Sequence, residues 1–318
     1  MKHHMKYHLF PAALVGLLLM LAAAPAPAQV DLSGNWALLD FQNALKAGPG
    51  PFPNSFQGIP INKDGRDAAL SFDNESLSEL QRECEPWLVH YVIEGPFGFR
   101  ITSVVDNHVS GEVVGWTISG EVYDRLATTI WVDGRAPPPP QALHTWGGYT
   151  TGEWHGDTLV STTTHIKDGA LERVGVPSSN KEVFRMFITR HGDLLTITGI
   201  IHDPVYLTAP YPLAQVFQLS STADPATPAM HCAPELEDTR LASGYQIAAY
   251  LPGQNPALMY MPEHYGIPLE AAMGGAQTMY PEYRKKLQTE YKRPTKYCTQ
   301  YCCGRGLNGA PAVCKTIN

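Results

Sequence analysis

One contiguous block, residues 131–210, constrains the fold more than any other part of the chain. It is a series of short segments rich in β-branched and aromatic residues, each closed by turn-forming residues. Segment 126–132 leads into Asp133-Gly134. Segments 149–154 and 158–166 flank His155-Gly156-Asp157, and segments 183–189 and 194–201 flank His191-Gly192-Asp193. Such side chains suit a pleated surface, and the Asp and Gly residues between them suit tight hairpins. Residues 137–140, all proline, have no N–H to give to a sheet and read as a loop. A longer loop is expected over 169–179.

The same texture continues outside the block. Segments 97–105 and 111–118 flank Asp106-Asn107-His108, and 213–219 supplies one more strand. Gly34-Asn35-Trp36 reads as the first strand, with a tryptophan suited to plugging the end of a lipocalin-type barrel. Residues 43–62 read as a Gly/Pro-rich surface loop and 67–84 as a short helix. Many short strands with regular turn signals make an all-β fold, a lipocalin-like antiparallel barrel or related sandwich. In segment 158–166, Leu159, Ser161, Thr163 and His165 share one face and Val160, Thr162, Thr164 and Ile166 the other. Neither face is purely apolar. This fits a partly polar barrel interior able to hold a ligand, and equally a sheet with a threonine-bearing solvent face.

The ends bound the compartment. Lys2 and Lys6 precede an apolar run over 9–24, and Ala26-Pro27-Ala28 fits a small-residue cleavage site, so residues 1–28 read as an export leader. The domain then spans 29–232, and no later segment is long and apolar enough to cross a bilayer as a helix. The formal net charge of −7 becomes more negative by two when Lys2 and Lys6 leave, which argues against nucleic acid as a partner. Cys84, Cys232, Cys298, Cys302, Cys303 and Cys314 all follow the leader, and an even count in an oxidising compartment reads as disulfides. Cys84 with Cys232 is the expected long-range pair, with the four late cysteines pairing among themselves. A metal site built on those four is the competing reading, and adjacent Cys302-Cys303 is poor geometry for it. Residues 233–318 are rich in Pro, Tyr and Met, with a charged helix expected over 280–291. They read as an irregular, disulfide-tied extension that wraps the barrel or reaches a partner.

Three motifs in the central block carry a family resemblance. Asp133-Gly134-Arg135, the hairpin from Gly152 through Val160, and Asp203-Pro204 with Tyr206 and Pro210 resemble an uncharacterised family of secreted Gram-negative bacterial β-rich proteins. Cys84-Glu85-Pro86 and Cys232-Ala233-Pro234-Glu235 fit the flanks more loosely. The resemblance covers roughly residues 31–235 and implies export and an all-β fold; it implies no activity. The chain departs from the family pattern at His155 and His202, where acidic or small polar residues are usual, and at Phe184, where a glutamate often stands.

The candidate catalytic residues are His155, His165, Arg185, His202 and Asp203. Imidazole serves both as acid–base group near neutral pH and as metal ligand. Arg185, if lumenal, could orient an anion or pair with Glu153 or Glu121. Turn chemistry explains Asp133, Asp157 and Asp203 without catalysis. No Gly-x-Ser-x-Gly elbow, phosphate-binding Gly-rich loop or haem attachment signature occurs in the chain. The expectation is a periplasmic or secreted non-enzymatic protein, with no cofactor. It binds a small apolar ligand, or docks through residues 233–318 on an envelope complex. The alternatives are a lipocalin-like lyase or isomerase using His, Asp and Arg in the barrel, and a periplasmic metal-binding protein.

Overall fold

The computed structural model describes residues 30–39, 56, 58–72, 86–94, 98–107, 109–120, 127–172, 175–221, 250–251, 254–259, 262–263, 266–274 and 276–290. Residues 1–28, expected to be a leader, all six cysteines and Glu121 fall outside these residues, and with them the expected disulfides and the competing cysteine–metal reading. The fold is all-β. Nine strands close into a barrel: β1 (Gly34–Leu38), β2 (Phe99–Val105), β3 (Val113–Ser119), β4 (Thr128–Trp131), β5 (Tyr149–His155), β6 (Thr158–Thr164), β9 (Val183–His191), β10 (Leu194–His202) and β11 (Tyr211–Leu219). The order around the wall is β1-β11-β10-β9-β6-β5-β4-β3-β2. A separate hairpin, β7 (Gly169–Glu172) with β8 (Val176–Ser178), occupies the stretch expected to be loop.

An odd number of strands cannot close with every neighbour antiparallel. The parallel step falls between β4 and β5, where Ile130 pairs with Thr150 and Trp131 with Thr151. A parallel pair needs a long crossover, and residues 132–148, with the proline run inside them, provide it. This corrects the expectation of an entirely antiparallel sheet. The signal lay in the prolines, which keep the crossover out of any ladder. Gly148 ends the crossover at φ +62°, where a Cβ would meet the Thr164 carbonyl oxygen at 2.6 Å.

The registers sort the connections to two ends. Short hairpins β2–β3, β5–β6 and β9–β10 lie at one end, where Trp36 is fully buried and donates from Nε1 to the Leu32 carbonyl at 3.0 Å. The Arg190 guanidinium lies 5.2 Å from the Trp36 ring centroid. The described ends of connections 39–98, 120–127, 165–182 and 203–210 all lie at the other end, the loop end.

Two helices serve that loop end. α1 (Lys63–Ser71) starts at Asn62, whose side chain accepts from the Gly65 N–H at 2.9 Å, so it begins before the expected position and its cap explains why. Asn62 also donates from Nδ2 to the Val205 carbonyl at 2.6 Å, and Gly65 lies close under Tyr206, tying α1 to the β10–β11 turn. α2 (Tyr91–Glu94) is buried along its whole length. Ile93 lies over Gly199 of β10, where a Cβ would press on Ile93 Cδ1 and the Phe184 ring, so glycine lets α2 pack closely there. The described parts of the extension include α3 (Leu269–Met273) and α4 (Pro281–Glu290), the latter close to the expected charged helix. Asn255 donates from Nδ2 to the Leu70 carbonyl at 3.0 Å and so covers the C-terminal end of α1. No helix among the described residues is long and apolar enough to cross a membrane.

Candidate ligand site in the barrel interior

Side chains alternate along each strand, so the registers define which residues point inward. From β6 these are Leu159, Ser161 and Thr163, all buried. Of the two readings open for this strand, burial selects the partly polar interior. Their neighbours are Thr150, Gly152 and Trp154 on β5, Thr128 and Ile130 on β4, and Trp116 and Ile118 on β3. This wall, β3 to β6, carries four hydroxyls and two indoles and no charged side chain among its inward residues.

The opposite wall differs. β1, β2, β9, β10 and β11 bury Trp36, Phe99, Phe184, Met186, Ile197 and Phe217. Phe99 and Phe217 meet edge-on at 4.5 Å between centroids. Gln215 is the buried polar residue of this wall, and Arg190 lies toward its hairpin end.

Hydrogen bonding separates the walls further. On the polar wall Thr150 and Thr163 satisfy each other at 2.8 Å between hydroxyl oxygens. Four other buried polar atoms, Trp116 Nε1, Thr128 Oγ1, Trp154 Nε1 and Ser161 Oγ, have no hydrogen-bond partner among the described residues. All four lie on inward positions of the same four adjacent strands. A buried polar group without a partner costs about 1–3 kcal/mol, and native interiors leave few of them. Clustering of four in one wall points to a complement from inside the barrel.

A second polar cluster sits at the loop end. His90, beside α2, lies with Nδ1 3.2 Å from Glu182 Oε1, and both side chains are buried. Ser178 donates its hydroxyl hydrogen to the other Glu182 oxygen. The His90 ring meets Phe184 edge-on at 6.2 Å between centroids, so the cluster touches the apolar wall. Asp203 accepts from the Ser179 N–H at 2.6 Å and hydroxyl at 2.7 Å, and from the Val205 N–H at 2.8 Å. Asp203 thus does what turn chemistry requires and also binds the β8–β9 connection to the β10–β11 turn. The sequence reading passed over His90 and Glu182. A histidine inside the apolar run Leu88-Val89-His90-Tyr91-Val92-Ile93 was the available signal for the first. Nothing local marks Glu182, whose partner stands 92 residues away.

The other candidate residues are not brought together. His155 and His202 lie at opposite ends of the barrel. His155 is exposed at the hairpin end, with Nε2 2.7 Å from Glu153 Oε1, and His202 is exposed at the loop end. His165 falls just past β6 rather than in it, with φ +58°. Its Nε2–H donates to the Pro139 carbonyl at 3.0 Å, which leaves Nδ1 to accept from the Thr164 hydroxyl at 2.9 Å. His144 Nδ1 likewise donates to the Ile166 carbonyl at 2.7 Å. These two histidines fasten the crossover to the end of β6. Arg185 faces outward and is exposed, 5.8 Å from the Phe187 ring, so the lumenal role weighed for it is not met. Glu153, the partner weighed for it, is engaged by His155. Among the described residues no three His, Cys, Asp or Glu side chains are grouped to hold a metal.

Asp133-Gly134-Arg135 is a structural device. Arg135 donates from Nε at 2.8 Å to Asp133 and stacks 3.6 Å over the Trp131 ring. The hydrogen bond from Arg135 holds the Asp133 carboxyl below its ordinary value of 3.8 and raises the Arg135 guanidinium in return. No family model, curated protein or solved structure matches the chain.

Proposed function

We propose that this is an exported binding protein that takes a small, mainly apolar molecule into its barrel from the loop end. The observation that carries the reading is the set of four buried hydrogen-bonding atoms on the wall from β3 to β6 that have no partner among the described residues. The described ends of the long connections lie at the loop end, outside the barrel ladder, which supports entry there. The periplasm or the medium is the compartment this reading requires, in keeping with the reading of residues 1–28 as an export leader. Native purification followed by mass spectrometry of what co-purifies tests the reading. A recurrent small molecule released on denaturation is the expected result. An empty protein that takes up no Nile red would overturn it.

Docking on an envelope complex through residues 233–318 is a second reading, favoured by one observation. The extension exposes Leu251, Met259, Met279 and Tyr280, large apolar or aromatic side chains of the kind that anchor interfaces. Charged substitutions at Leu251 and Met259 are expected to abolish co-sedimentation with envelope membranes if docking holds. Persistence of co-sedimentation, or its absence in the unaltered protein, counts against it.

A further inference from the structure

The chemistry of the polar wall limits what the barrel can take. We infer that the site selects an uncharged molecule whose oxygen atoms act as hydrogen-bond acceptors, such as an ester or ketone, on a largely apolar frame. This rests on the ligand-binding reading and narrows it.

Two of the four atoms without partners, Trp116 Nε1 and Trp154 Nε1, are indole N–H groups, which only donate. The other two, Thr128 Oγ1 and Ser161 Oγ, are hydroxyls, which donate or accept. A ligand that satisfies all four must therefore offer acceptors. Hydrocarbon offers none.

Charge is excluded by a different argument. A carboxylate or ammonium taken out of water needs an opposite charge or several converging hydrogen bonds. The inward residues of β3 to β6 include no ionisable side chain. Arg190 lies over Trp36 near the hairpin end, on the other wall. Glu182, at the loop end, is already engaged by His90 and Ser178, and Glu94, buried on α2, also has a partner.

The register shows that the four residues share one interior. Trp116 lies opposite Ile130, and Thr128 is the diagonal neighbour two residues along β4. Ile130 lies opposite Thr150, Gly152 opposite Ser161, and Trp154 opposite Leu159. Gly152 is not spare room: a Cβ there would lie 2.8 Å from Ile130 Cγ2 and 3.1 Å from Leu159 Cδ1. The bonded pair Thr150 and Thr163 stands between the two groups and needs nothing from a ligand.

Displacement of Nile red from the purified protein by three matched dodecyl probes tests this. The probes are methyl laurate (neutral, with acceptors), laurate (anionic) and dodecane (no acceptor). Methyl laurate is expected to bind about tenfold more tightly than either of the others, the scale of one well-made hydrogen bond. Thr128→Val and Trp116→Phe should each cut that preference by about threefold while leaving dodecane unchanged. Thr128→Val is nearly isosteric, so it carries the test if Trp116→Phe fails to fold. Equal binding of all three probes, or tighter binding of laurate, overturns the inference and leaves ligand binding standing. Failure of Nile red and of every probe to bind overturns both, and assigns the four groups to internal water only.

Discussion

The two walls of the barrel are built from similar strands and have unlike interiors. The wall of β1, β2, β9, β10 and β11 buries Trp36, Phe99, Phe184, Met186 and Phe217, with Phe99 and Phe217 in edge-on contact. The wall of β3 to β6 interleaves Ile118, Ile130 and Leu159 with Thr128, Thr150, Ser161 and Thr163. On the first wall, packing accounts for the buried side chains. On the second, packing accounts for the isoleucines and the leucine but not for hydroxyls and indoles left without partners. A wall that serves only to hold the barrel closed would have no use for them, since valine and alanine would fill the same space at less cost.

The largest expected effect breaks the apolar wall. Phe217→Ala should destabilise the protein by about 3–5 kcal/mol in urea unfolding, because it removes a buried ring and leaves a cavity beside Phe99. Glu182→Ala comes next, at about 3 kcal/mol, since it removes the buried carboxylate that His90 and Ser178 contact at the loop end of the same wall. If Glu182→Ala is silent in thermal melts, the cluster is not a structural tie.

Substitutions on the polar wall should be mild and should differ in sign. Thr150→Val breaks the buried hydrogen bond to Thr163 and should cost about 1 kcal/mol. Thr128→Val and Ser161→Ala remove groups that have no partner among the described residues, so without ligand they should be neutral or stabilising by up to about 1 kcal/mol. Loss of stability at both positions would erase the contrast between the walls.

The smallest effect lies outside both walls. The Asp133 carboxyl is held low by Arg135, so its contribution is present above the ordinary carboxylate value and fades as pH falls through the lowered one. Arg135→Gln should return the Asp133 titration toward 3.8 in an NMR pH series, with no measurable change in stability at neutral pH.

The sequence carried the barrel's strands because each is a local pattern. β5, β6, β9 and β10 lie close to where alternation and turn residues put them, and Trp36 sits at a barrel end as expected. The helix expected from residue 67 begins earlier, at Lys63, because Asn62 caps it; residues 73–84 of that expectation lie outside the described residues. The β7–β8 hairpin went unseen because its strands are short and its paired residues include Pro177.

The site was less legible. Ser161 and Thr163 stood out on a strand of mixed faces, but the sequence left open whether that face met solvent or the interior. Closure of the barrel decided it, by placing four strands side by side around one interior. The histidines that drew attention in the central block proved to be fasteners and surface residues. The pair that is buried, His90 with Glu182, joins segments far apart in sequence, and no local rule relates them. Strand periodicity and turn chemistry are short-range properties, so the chain alone expresses them. Which polar groups lose water, and which then find no partner, depends on what lies across the fold, so only the tertiary structure decides it.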